Sequence, residues 1–426
     1  MIHATCVLLL STLFGAASLR ADEVELTIVE GKYIRLATDL PPSDDFQNYV
    51  QAFDQAVTLW VAYWNRDLAS VDGWRVTGYL MSDKEAFVRR GLIPSSLPDF
   101  LHGYQSGDKL WVVYQPSSFY TLHLILHEGS HSLAHRLFGG AGPPWFMEGT
   151  AEFLATHETT SEDNLAGLRI GVIPASREVS PYWGRIGLIA DRRQEGKVPS
   201  IETVMRYGDT AHRDVEPYAW SWAAAVLMEM YPEYQKPFRA AALQGRDTSP
   251  EFTRQFFQSL RKQWPVLSAR WQLLCHDLEY GFDRDANRVT LPDTLPLFAG
   301  SPLTMKLSAN QGWQSTPAMI RAGQSVMIEA EGRFQLRRDE SWVSEADGVT
   351  ITYHRGQPLG KLVACVVSRM PSATRYSPKL EIVDIGAKGE ITSPTDGWLM
   401  FKVNENPADI ADNQGTLQLK LHPSTP

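Results

Sequence analysis

The sequence predicts an α+β protein, helices packed on a mixed sheet, followed by a β-sandwich. Three observations carry this. Over roughly the first 135 residues, segments with period two alternate with segments of helical period. From about Pro181 to Gly281 nearly every segment has helical spacing. Past the proline cluster in "LPDTLPLFAGSP" the periodicity switches to two and stays there to the end.

The first residues, "MIHATCVLLLSTLFGAASLRADE", hold an apolar core too short to span a bilayer and a small-residue stretch ending in Ala21. They read as a secretory signal peptide over 1–21, cleaved in a secreted or periplasmic protein with no membrane span. Next, "VELTIVEGKYIRLATD" alternates as a strand, and "FQNYVQAFDQAVTLWVAYWNRDL" has helical spacing. "WRVTGYLM" and "KLWVVYQP" read as strands, with a short helix around Glu85 to Arg90 between them, and a histidine-bearing helix follows. "YAWSWAAAVLMEMY", "SPEFTRQFFQSLRKQW" and "VLSARWQLLCHDLEY" are helices; "SVMIEAEG", "GVTITYH", "KLVACVV" and "GWLMFKV" are strands. The expected domains are an α/β part over 22–165, a helical part over 166–285, and a β-sandwich over 296–426.

Composition narrows the function. A chain of 426 residues can bury at least two cores. The net charge of −9, without a lysine- or arginine-rich patch, excludes a nucleic-acid partner. Maturation would leave only Cys275 and Cys365, too few for a disulfide scaffold or a cysteine metal site.

Residues 122–154, "LHLILHEGSHSLAHRLFGGAGPPWFMEGTAEFL", place His123, His127, His131 and His135 four apart. On a helix any adjacent pair could chelate one ion. A hydrolytic site also needs a carboxylate beside the metal to accept a proton from water, and only His127 is followed by one, Glu128. His127-Glu128-x-x-His131 is therefore an HExxH motif, two zinc ligands with a general base, while His123 and His135 read as structural.

Catalytic zinc takes three protein ligands and leaves a position for water, so a third must come from elsewhere. The helix continues to Phe138, Gly139-Gly140 can cap it, and Pro143-Pro144 suits entry to a second helix. So short a loop makes the two antiparallel and returns Glu148 and Glu152 toward His131. The two glutamates share one face, so that one can bind the metal while the other orients a ligand imidazole.

HExxH followed by W-F-x-E-G-x-A-E resembles the gluzincin metallopeptidases, the group that includes thermolysin and the zinc aminopeptidases. The resemblance implies Glu148 as third zinc ligand, Glu152 as the carboxylate behind the imidazoles, and a peptide or protein substrate. One departure is Gly129 in the helix, where a larger residue is usual and glycine costs about 1 kcal/mol. Another is the lack of the G-x-M-E-N stretch with which zinc aminopeptidases hold a substrate amino terminus. In such enzymes an edge strand precedes the zinc helix, the place of "KLWVVYQP", and an edge strand can bind an extended peptide. They also use a tyrosine or histidine of the helical half to stabilise the oxyanion. Tyr218 is the candidate, and His212 the alternative.

The β-sandwich resembles the PA-I galactophilic lectins, which are calcium-dependent and galactose-specific, mainly in the loop "VNENPADIADNQGTLQLKL". The resemblance implies a Ca2+ site from Glu405, Asp412, Asn413 and the carbonyl of Asp409, and a glycan or cell-surface partner. Glu405 stands where the lectins have a shorter aspartate. The expected function is a secreted zinc metallopeptidase using one catalytic Zn2+. The alternative is a carbohydrate- or cell-surface-binding protein on a non-catalytic peptidase-like scaffold.

Overall fold

The computed structural model of the chain describes residues 26–159, 167–208, 214–292, 294–337, 342–370 and 374–424. The signal-peptide expectation for 1–21, and His212, fall outside them. The described residues form a mixed α+β protein with ten α-helices and several sheets.

The first expected strand is a hairpin, β1 (Thr27–Glu30) and β2 (Ile34–Thr38), paired antiparallel. The reversal at Gly31 escapes the period-two signal because it is set from outside, by α1 (Asp44–Tyr63). A Cβ on Gly31 would meet Val50 at 2.6 Å, and Asp54 accepts the amides of Lys32 and Tyr33 at 2.7 Å each. Ser43 caps α1 by accepting the Asp45 amide at 3.2 Å, and the helix crosses to β3 (Val76–Met81), parallel to β2.

After α2 (Lys84–Arg89) come β4 (Gly103–Ser106) and β5 (Lys109–Val113), a hairpin turned at Gly107-Asp108 with Gly107 at φ +58°. The sheet order is β1-β2-β3-β5-β4. The strand "KLWVV" thus lies between β3 and β4 rather than at the edge, and the edge on this side of the sheet is Gly103–Ser106, with β1 at the other. Burial of Leu110, Trp111 and Val112 inside the sheet accounts for its nearly continuous apolar run.

Helix α3 (Ser118–Phe138) is capped by Ser117, which accepts the Tyr120 amide at 3.2 Å, and ends at Gly139 with φ +77°. Helix α4 (Pro144–Ala155) returns along it. A small hairpin of β6 (His157–Glu158) and β7 (Arg169–Ile170) leads to α5 (Arg185–Gln194), α6 (Ile201–Val204), α7 (Val215–Met230), α8 (Pro232–Ala241), α9 (Pro250–Leu260) and α10 (Trp264–Asp277). In α7 every residue from Ala219 to Met230 is buried, which fits its apolar composition all round. One apolar core, from Tyr33 to Phe282, joins the sheet and these helices.

The remaining strands are β8 (Leu303–Ser308), β9 (Gln314–Ile320), β10 (Ser325–Glu331), β11 (Phe334–Leu336), β12 (Trp342–Ser344), β13 (Val349–His354), β14 (Gln357–Leu359), β15 (Leu362–Ser368), β16 (Val383–Asp384), β17 (Lys388–Thr392), β18 (Gly397–Val403) and β19 (Gln414–Pro423). One sheet runs β12-β11-β19-β10-β17 with β8 on β19, a second runs β16-β15-β18-β9 with a second core between them, and β13 and β14 pair as a separate hairpin. The outer face of β15 and β18, through Val363, Cys365, Trp398 and Met400, is covered by Val266, Ala269 and Leu273 of α10. Burial on both faces makes "LVACVV" and "WLMF" apolar at every position. Beside them Lys402 Nζ donates to both carboxylate oxygens of Asp277 at 2.8 Å. Cys275 and Cys365 are free, buried thiols. No described helix is long and apolar enough to cross a membrane.

Candidate metal centre

The four-residue spacing puts His127 and His131 one above the other on α3, and α4 brings Glu148 against them. His127 Nε2 lies 3.1 Å from Glu148 Oε2 and 3.1 Å from His131 Nε2, which is 3.5 Å from the same oxygen. Bonds of about 2.0–2.2 Å at tetrahedral angles would separate zinc's donors by roughly 3.3–3.6 Å, so the observed triangle suits one face of a zinc tetrahedron. Two imidazole nitrogens turned toward each other at this distance can share only one proton, and a cation between them satisfies both lone pairs. Burial pushes the Glu148 carboxyl up, but hydrogen bonds from the two histidines outweigh it and hold it at about 2.

Glu128 is buried beside this triangle. Burial first, then the charges of Glu148 and Glu152, push its carboxyl up to about 8, with His131 opposing. That is the range of a base poised to exchange protons near neutral pH. The edge strand passes close to it: a Cβ on Gly103 would stand 2.5 Å from Glu128 Oε1, so any larger residue there would displace the Glu128 carboxylate.

Glu152, one turn beyond Glu148, faces the back of the His127 imidazole and the neighbouring His123. Its Oε1 is 3.5 Å from His127 Nδ1, which has no nearer partner, and its Oε2 is 3.4 Å from His123 Nε2. Arg185 grips it with two bonds, Nε to Oε2 at 3.2 Å and a terminal nitrogen to Oε1 at 2.9 Å, and Trp183 Nε1 donates to Oε2 at 3.2 Å. Burial opposes its charge, but Arg185 leads the interactions that hold the carboxyl well below its usual range. His123, His127 and Glu152 form a second possible ligand group. The guanidinium on Glu152 disfavours a second cation there, which leaves His127, His131 and Glu148 as the better metal set. His135 lies exposed near the end of α3.

Tyr218, in the first turn of α7, has its ring centroid 6.0 Å from that of His127 and 5.7 Å from the Arg185 guanidinium. Burial and then the charges of Glu148, Glu128 and Glu152 push its hydroxyl far up, so it remains a protonated donor. Arg185, Trp183 and Gly103 escaped the sequence reading. Arg185 opens α5, whose four charged residues resemble a solvated face, and nothing in "PYWGR" marks a contact with a residue 33 positions earlier.

The β18–β19 loop collects the other candidates. Glu405 and Asn413 are each 2% exposed, while Asp409 is exposed. Asn413 Nδ2 donates to Glu405 and, at 3.0 Å, to the Ala309 carbonyl. Asn413 Oδ1 and Asp412 Oδ1 are buried without a hydrogen-bond partner, and the Asp409 carbonyl accepts the Asp412 amide at 3.2 Å.

No family model and no curated protein matches the chain. Weak structural neighbours include a lectin-like domain and a metallopeptidase. The EclA N-terminal domain, a PllA-like lectin, gives TM-score 0.23 and 15% identity over 28% of this chain and 95% of its own. The PliG periplasmic inhibitor of g-type lysozyme from Aeromonas hydrophila gives 0.19 and 13% over 33% and 100%. The IMPa metallopeptidase from Pseudomonas aeruginosa gives 0.18 and 10% over 84% of this chain and 38% of its own. At these scores none of the three carries weight for the fold or the chemistry of this chain.

Proposed function

We propose that the protein is a zinc metallopeptidase of gluzincin type, exported by the signal peptide over 1–21 and acting on peptides or proteins. The observation that carries this reading is the triangle of His127, His131 and Glu148 donor atoms, 3.1, 3.1 and 3.5 Å on its sides, with Glu128 buried beside it. Zinc bound there supplies Lewis acidity and lowers the pKa of a coordinated water. Glu128 takes the proton of the attacking water and returns it to the departing amine. Tyr218 donates its hydroxyl to the oxygen that becomes negative. Glu152, held by Arg185, lies 3.5 Å from His127 Nδ1, placed to take its proton so that Nε2 stays free to coordinate. An extended substrate can add to the free edge of β4, beside Glu128.

Digestion of a peptide library by the purified protein, with and without a chelator, tests the reading. Cleavage that stops on chelation and returns with zinc is expected; a library left intact under zinc would favour the non-catalytic scaffold.

A second site has its own support. The buried, unpartnered oxygens of Asp412 and Asn413 beside Glu405 fit the oxygen donors that Ca2+ prefers. Calcium there, and a glycan or cell-surface partner for the β-sandwich, complete the proposal.

A further inference from the structure

An open cavity of about 360 Å³ lies where the C-terminal ends of α1, α4 and α7 meet the chain around Arg284 and Arg288. It is lined by other residues than the metal cluster and lies near the small end of ligand-pocket volumes, roughly 300–1,000 Å³. Tyr63, Phe153 and Met230 give it apolar wall, and Arg239, Arg284 and Arg288 give it three guanidinium groups.

Two carboxylates line the cavity, and both are engaged. Glu229 accepts from Tyr63 Oη at 2.8 Å, from Gln235 Nε2 at 2.9 Å and from Arg239 Nε at 3.0 Å. Asp285 reaches out to Arg288 at 2.7 Å and is 87% exposed. Arg284 has no ion pair or hydrogen bond among the described residues; its guanidinium lies 5.8 Å from the centre of the Phe153 ring. Burial weakens its charge first; Glu229 and Asp285 then support it from a distance, and Arg169 and Arg288 repel it. A half-buried guanidinium whose donors meet no acceptor directly is costly, and its planar fork matches two oxygens of one anion.

We infer that this cavity binds a small organic anion, a carboxylate or phosphate head on a short apolar or aromatic body. The head lies on Arg284, with Arg288 near it, and the body lies against Phe153 and Met230. The inference is independent of the zinc reading.

The test is calorimetry on the full chain stripped of metal by chelation, because a carboxylate can also bind zinc. The probes are 3-phenylpropionate, phenyl phosphate and the neutral 3-phenylpropanol. Saturable binding of an anionic probe at millimolar concentration or below is expected, with the alcohol at least tenfold weaker. The better anion identifies the head group. Arg284→Gln should weaken that binding at least tenfold, and Arg284→Lys by less. Ile170→Trp, which fills the rim, should abolish binding and serves if the arginine variants do not fold. No saturation with either anion, equal binding of the alcohol, or parent-like binding by Arg284→Gln would overturn the site.

Discussion

Glu152 and Arg185 are locked in a two-bond ion pair whose side chains are only 2% and 8% exposed, directly behind the His127 imidazole. Breaking a buried pair from one side strands the other charge, which costs about 3–5 kcal/mol. Arg185→Met should therefore lower the melting temperature. It should also weaken zinc binding by about 10–100-fold, the usual effect of losing a partner behind a ligand. Zinc titration with a competing chelator reads the second effect. Unchanged affinity would show that Glu152 does not orient His127.

Gly129 shows why a helix-breaking residue can be needed. A Cβ there would stand 2.2 Å from Phe53 Cε2, so α1 packs against α3 through the missing side chain. Helix propensity alone would make Gly129→Ala stabilising by about 1 kcal/mol. Overpacking a core costs about 1–3 kcal/mol, so the net change should be destabilising. Chemical denaturation decides between the two signs.

Tyr218→Phe keeps the ring beside His127 and removes only the hydroxyl. Turnover should fall by about a hundredfold or more, with KM little changed, as loss of an oxyanion donor does. Parent-like turnover would pass the role to another group.

Burial first, then the charges of Asp412 and Asp409, push Glu405 up to about 7, although the Asn413 hydrogen bond opposes them. A carboxyl raised on folding binds more protons in the native state, so its stability contribution is lost as pH rises from about 4.5 to about 7. The shift corresponds to about 3 kcal/mol across that window. Melting curves in chelator should show a decline that Glu405→Gln removes. Calcium should reverse it in the parent and not in the variant; a parent curve blind to calcium would leave the loop without an ion.

Much of the local structure was legible. The strand and helix periods, the Gly139 stop of α3 and the i, i+4 histidines follow from chemistry within a few residues of each position. The Gly31 turn was not legible, because Asp54 of a later helix fixes it. Nor was the interior position of "KLWVV", because the short polar strand Gly103–Ser106 that covers it carries no apolar signal. The partners of Glu152 were hidden for the same reason: Arg185 and Trp183 reach it only through tertiary packing.

A catalytic zinc held by His127, His131 and Glu148, with Glu128 as base, underlies the roles proposed for Tyr218 and Glu152. Metal content and peptide hydrolysis, measured together on the parent, Glu128→Gln and Glu148→Gln, test it most directly. One zinc per chain in the parent and in Glu128→Gln, hydrolysis in the parent alone, and zinc lost from Glu148→Gln is the expected pattern. A Glu128→Gln protein that hydrolyses like the parent, or a parent that takes up no zinc, would contradict it.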